Sequence, residues 1–171
     1  IDLNNPYITG NDNIGSLMGY VADTATINSS YVNNGTVIGN AYVGGFVGTV
    51  QGILITDSYF EGDVTGADVG GLAGWMIGVV NRSYSIVNIT SIAFSAGGLV
   101  GVGGSILNSF TIANITGGDT LGSLSGSSGT ISNSYWFNSS DNPGNCYDGG
   151  NTGCTAITSL SYFQGDVYPS S

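Results

Sequence analysis

The residues that could carry chemistry are few, and the missing types decide most of the reading. There is no His and no Lys; the single Arg, Arg82, stands against eleven Asp and Glu. Without His, neither a Ser-His-Asp nor a Cys-His nucleophilic arrangement can be assembled. A polysaccharide lyase would need a base and a cation to stabilise developing charge. Arg82 occupies a repeat position that holds Asn or Asp in three other copies. A glycosidase needs two carboxylates flanking the sugar bond. The close candidates involving Glu are Asp57 with Glu61 and Glu61 with Asp63, and nearness in sequence is little evidence for such a pair. No catalytic or cofactor-binding residue is assigned, and the chain is not expected to be an enzyme. Asp57, Glu61, Asp63 and Asp68, with Asp141 and Asp148 flanking a Cys loop, could offer oxygens to calcium. That ion takes about six to eight such ligands. The Gly-Gly-x-Gly-x-Asp series of calcium-binding β-rolls is absent, so solvated carboxylates are the better reading and no metal is assigned.

Cys146 and Cys154 bracket a Gly-rich loop that can fold back on itself. A disulfide is the first reading, and it implies an oxidising compartment. The alternatives are two reduced thiols without a role, or half of a zinc site with no His to complete it. Six Asn-x-Ser/Thr sequons stand at Asn28, Asn34, Asn81, Asn88, Asn114 and Asn138. They read as N-glycosylation sites of a secreted protein. The competing reading is that Asn suits turns and side-chain ladders and forms sequons by chance in a Ser/Thr-rich chain.

The elements that position these residues follow from composition and period. The chain has 171 residues, 41% of them apolar and only 7% charged; it can bury a core and is a poor candidate for disorder. Its net charge of −10 opposes binding to nucleic acid and to anionic lipid. No stretch reaches the ~18 apolar residues of a membrane-spanning helix. The first residue is Ile1, which suggests a processed chain or a piece of a longer one.

A Gly-x-apolar-x-Gly box recurs five times, beginning at Gly15, Gly44, Gly70, Gly97 and Gly122, at spacings of 29, 26, 27 and 25 residues. A second marker, Ser followed by an aromatic, ends each unit: Ser30-Tyr31, Ser58-Tyr59, Ser83-Tyr84, Ser109-Phe110 and Ser134-Tyr135. Its aromatics are spaced by 28, 25, 26 and 25, and Ile27, Ile55, Val80, Ile106 and Ile131 lie four residues before them. Two markers in one phase define a repeat whose units must stack to bury a core. Val, Ile, Thr, Tyr and Phe are abundant and glycines interrupt every segment, so the units are strands and turns. The predicted fold is an all-β solenoid of about five to six coils with a period near 26 residues, a single domain over 1–171. The repeats cover about 13–140, a disulfide-clipped loop 141–157 and a C-terminal strand segment 158–168. Leu17, Phe46, Leu72, Leu99 and Leu124 are expected in one inward stack and the Ile/Val series in another. The aromatics should form a third ladder, inside or at a corner. The box glycines are expected to allow positive φ or close approach of coils. The Ser161–Val167 segment differs from Ser58–Val64 at one position, which suggests a partial sixth unit with the Cys loop in place of a Gly box.

These boxes resemble the GLUG repeat of bacterial and archaeal surface proteins, carried by Gly71-Leu72-Ala73-Gly74 and Gly98-Leu99-Val100-Gly101 with the downstream Ser-Tyr/Phe boxes. The resemblance covers roughly residues 13–140 and implies an extracellular solenoid stalk without catalytic residues. The function expected is that of a structural protein at the cell surface. It would be a filament subunit assembled head to tail with its own copies through the solenoid ends, and it would carry N-linked glycans. The alternative is a segment of a secreted adhesin, with Trp75, Trp136 and Tyr147 offered to surface carbohydrate; the competing reading makes these three core or corner residues. Neither nucleic acid nor membrane insertion is expected.

Overall fold

A computed structural model describes residues 1–127, 129–139 and 142–161. The chain winds as a parallel β-solenoid with three sheets along its sides. The first and longest sheet stacks Tyr31–Ile38, Tyr59–Gly66, Tyr84–Ser91, Phe110–Gly117 and Ser134–Phe137 in order. Its first rung is shared by Asp2–Asn4 and Tyr7–Thr9. The second sheet stacks Asp12–Ile14, Ala41–Gly44, Val69–Gly70, Ser95–Gly97 and Thr120–Gly122. The third is built from Val47–Thr56, Ala73–Asn81, Val100–Leu107 and Thr130–Ser132, with Met18–Val21 and Ala25–Asn28 along the first rung. Each of the first five coils therefore visits all three sides before the chain steps up by one strand spacing, ~4.8 Å.

The two sequence markers are the two corners. The Gly box turns the chain from the second sheet into the third, and the Ser-aromatic box turns it from the third into the first. At the Gly corner, Phe46, Leu72, Leu99 and Leu124 form a fully buried column. The backbone follows the same ladder: Leu17 N–H donates to Phe46 O (3.0 Å), Phe46 to Leu72 (3.0 Å), Leu72 to Leu99 (2.8 Å) and Leu99 to Leu124 (2.9 Å). Leu17, in the first coil, is only half-buried. The glycine before Phe46, Leu72 and Leu99 is required by close approach. A Cβ on Gly45 would lie 2.1 Å from Gly71 O, and one on Gly71 2.1 Å from Gly98 O. In the terminal copies this residue is Ser, and its hydroxyl becomes a donor: Ser16 to Gly45 O, and Ser123 to Pro143 O.

At the other corner, the residue before each Ser takes left-handed backbone: Ser29, Asp57, Arg82, Asn108 and Asn133 have φ between 46° and 51°. Asn and Asp tolerate that region best, which explains their prevalence at the position. The Ser that follows is buried and works twice. Its hydroxyl donates to the carbonyl two residues back and accepts the N–H of the Ser one coil earlier. Ser58 N–H donates to Ser83 Oγ (3.2 Å), while Ser83 Oγ donates to Asn81 O (2.9 Å). The same pairs recur from Ser30 to Ser58, Ser83 to Ser109 and Ser109 to Ser134. Replacing Ser83 by Ala strips a buried N–H of its acceptor, which costs about 1–3 kcal/mol. Urea titration should read that loss, and an unchanged midpoint would show that the ladder does not matter.

The expected sixth unit needs a correction of phase. Cys146 continues the Gly-corner column: Leu124 N–H donates to Cys146 O (2.8 Å), and the Cys146 side chain is fully buried. The loop thus replaces a Gly box, as the sequence implied. The next rung of the first sheet, however, is Cys154–Ile157, with Cys154 opposite Ser134. The Ser position is filled by Cys154 rather than Ser161, because the disulfide loop bypasses the third sheet. Residues 162–168 lie outside the described residues.

Candidate functional site

The surface that could meet a partner is the outer face of the first sheet and its corner. The strand alternation places Phe60, Val64, Val87 and Ile89 inward and Glu61, Asp63, Ile86 and Asn88 outward. The corner aromatics form their ladder on the outside. Ring centroids are 5.0 Å apart for Tyr31–Tyr59, 4.8 Å for Tyr59–Tyr84 and 4.7 Å for Tyr84–Phe110. Those distances match the strand spacing, so parallel coils dictate offset stacking of identical positions. The ring faces cover one another, and the hydroxyls serve the polar rows beside them: Tyr59 donates to Asn33 Oδ1 (2.7 Å) and Tyr135 to Asn133 Oδ1 (3.0 Å).

Polar ladders run beside the rings. Asn108 Nδ2 donates to Asn81 Oδ1 (2.9 Å), and Asn133 Nδ2 to Asn108 Oδ1 (2.8 Å). One coil below, Arg82 takes the left-handed position and grips Asp57 with two charge-assisted bonds, Nε to Oδ1 at 2.7 Å and Nη2 to Oδ2 at 2.6 Å. The Arg82 bond and charge hold the Asp57 carboxyl below its ordinary range. Both side chains are substantially exposed, so the pair adds little stability. It fixes the corner and occupies the lone guanidinium. Asp63 accepts from Asn88 Nδ2 (2.9 Å) and Asp68 from the Ser95 N–H (3.3 Å). Glu61 stays exposed on the sheet face. The carboxylates grouped in sequence are thereby dispersed: Asp57 at one corner, Glu61 and Asp63 along the strand, Asp68 at the next corner.

All six sequon asparagines lie at the surface, five exposed and Asn81 half-buried. Asn28 and Asn81 share the outer row of the third sheet, each in register with Thr56. Asn88 and Asn114 share a row on the first sheet and are direct register partners. Asn34 sits in left-handed backbone at a bulge, and Asn138 just beyond the Ser134–Phe137 strand. Cys146 and Cys154 are joined as a disulfide. Of the three aromatics offered to carbohydrate, Trp136 must be withdrawn. It is 3% exposed and stacks inward in register with Thr111, in the column that holds Ser85 and Phe60. Tyr147 is half-buried in the Cys loop, bridged to Ser125 and to Gly150. Trp75 alone borders an open bay, about 310 Å³, on the third sheet, where the register shifts at Ile77/Gly78 against one neighbouring strand and between Met76 and Val79 against the other. The sequence had not singled out the buried Ser ladder or the Asn81–Asn108–Asn133 ladder as bonded rows; the Ser position recurs at the repeat period, whereas Asn81 stands one residue before the position that Asn108 and Asn133 share.

A repeat solenoid with a Gly corner and a Ser-aromatic corner defines the class. A family model described as the GLUG motif matches residues 39–65, one full turn containing both corners, as the resemblance of the repeat boxes implied. Halomucin of Haloquadratum walsbyi (strain DSM 16790 / HBSQ001) is 36% identical to the chain over 104 residues, which is 56% of this chain and 1% of that protein. The chain therefore spans only about 1% of the length of this relative. No solved structure matches the chain. Among the described residues no helix is long and apolar enough to cross a membrane.

Proposed function

We propose that the chain is a non-catalytic structural module of the cell surface, built to be extended along its solenoid axis and dressed with N-linked glycans. The observation that carries this reading is the open edge of the first coil. Asp2–Asn4, Tyr7–Thr9, Asp12–Ile14, Met18–Val21 and Ala25–Asn28 are paired on one side only among the described residues. The core is open at that end too: Leu3, Ile8, Ile14, Leu17, Met18 and Val21 pack on it but stay half-buried. An edge of unpaired N–H and C=O groups with half-buried core side chains is a template for another rung. A preceding coil of a longer chain would satisfy it, and so would the far end of a second copy. The second case is a heterologous contact, which repeats into an open filament. The partners proposed are thus the chain's own copies and its glycans, with no nucleic acid and no membrane insertion. The adhesin alternative retains Trp75 and its bay but loses Trp136, and is the weaker of the two.

Electron microscopy and sedimentation of the purified protein over a range of concentrations test the filament. Five coils span about 24 Å, so rods many times longer, growing with concentration, are expected. A monodisperse monomer at high concentration would reject head-to-tail assembly.

A further inference from the structure

Two sequons are identical in sequence and in place: Asn88-Ile89-Thr90 and Asn114-Ile115-Thr116. Both asparagines are exposed, on the outer face of the same sheet, between buried neighbours of the same strand. They are in direct register on adjacent coils, so their Cα atoms are separated by roughly the ~4.8 Å strand spacing. A glycan is bulky, and two of them cannot rise side by side from points that close.

The surroundings separate the two sites. Asn88 is enclosed by rungs on both sides, Asp63 on one and Asn114 on the other. Its Nδ2, the atom that would carry the sugar, already donates to Asp63 Oδ1 at 2.9 Å. Among the described residues Asn114 has a rung on one side only. The next strand pairs through Phe110↔Tyr135 and Thr111↔Trp136 and then leaves the ladder, so no described residue pairs with Asn114 on that flank. We infer that, of these two, Asn114 is the glycan-bearing site and Asn88 is an unmodified rung of the Asp63–Asn88 ladder. The inference rests on the glycoprotein reading above and sharpens it. Because the two acceptor tripeptides are the same, any difference in occupancy reports the folded surroundings rather than the tripeptide.

The test is site-resolved mass spectrometry of the chain secreted from a glycosylating host, with Asn114→Gln and Asn88→Gln alongside. Asn114→Gln should remove one glycan's mass from the intact protein, and Asn88→Gln should remove none. Glycans on both residues of the same molecule, or on Asn88 alone, would overturn the inference. Glycans at other sequons with neither of these two modified would also overturn it, while leaving the glycoprotein reading intact. An intact mass equal to that of the bare chain would reject the glycoprotein reading itself.

Discussion

Replacing Leu72 by alanine lowers the stability of the solenoid by about 2–5 kcal/mol, near the upper end of that range. Leu72 is fully buried in the middle of the Gly-corner column, between Phe46 and Leu99. The removed side chain leaves a void, and its cost depends on how far the surroundings can close. Here they can close very little. The backbone at Leu72 is clamped from both sides, donating to Leu99 O at 2.8 Å and receiving the Phe46 N–H at 3.0 Å. The glycine before it already lies in contact with the next coil. Neither rung can shift without breaking the ladder, so the cavity persists. Leu17→Ala provides the contrast, because Leu17 is half-buried at the open end and removes less apolar surface from water. An interior unit also couples to two neighbours, whereas an end unit couples to one. Urea unfolding should show a large drop in midpoint for Leu72→Ala and a small one for Leu17→Ala. Equal losses would mean that the column is not the cooperative core of the stack.

The same column shows why so much of the fold was legible. Gly-x-apolar-x-Gly and Ser-aromatic are corner motifs, and a corner repeated in register must use the same residues in every coil. Two corners in one phase fix the period, and the period fixes the solenoid. What stayed open concerned which side a residue faces. The aromatics could be placed inside or at a corner because the Ser beside them is small and polar, which argues against a core position. The Ser is nonetheless the buried member, since its hydroxyl satisfies N–H and C=O groups of two coils. That hydrogen-bond requirement releases Tyr31, Tyr59 and Tyr84 to the outside. The inward position of Trp136 was hidden for a related reason. In Tyr135-Trp136-Phe137 every residue is aromatic, so alternation carries no signal. The matching position is Ser85 and Thr111 in the two preceding coils, which disguises an inward column. Only the register with Phe60 and Val32 reveals it. The phase of the last coil was obscured by a covalent constraint: the repeat predicts Ser161 at a rung that the disulfide assigns to Cys154.

Removing that disulfide should have the second large effect, and a local one. Cys146 stands at the leucine position of the Gly corner and Cys154 at the Ser position of the next corner, opposite Ser134. In every earlier coil the third sheet joins these two corners. In the last one they are only 8 residues apart, and the bond replaces the missing strand. In the double variant Cys146→Ala, Cys154→Ser, the loop gains freedom in the unfolded chain, a loss of about 2–3 kcal/mol for a loop of this size. Units of a solenoid are coupled mainly to their neighbours, so the loss should begin at this end. Ser123, Leu124 and Ser125 donate their amides to Asn145 O and Cys146 O at 2.8–3.0 Å. Those amides should exchange with solvent much faster in the variant, while the Leu72 amide, three coils away from the loop, keeps its protection. Hydrogen exchange with thermal unfolding reads both. Uniform acceleration along the whole chain would show that the solenoid unfolds as one block and that the clip acts on all of it. Unchanged exchange at Leu124 and Ser125 would show that the ladder alone holds the last coil and that the disulfide does not close the end.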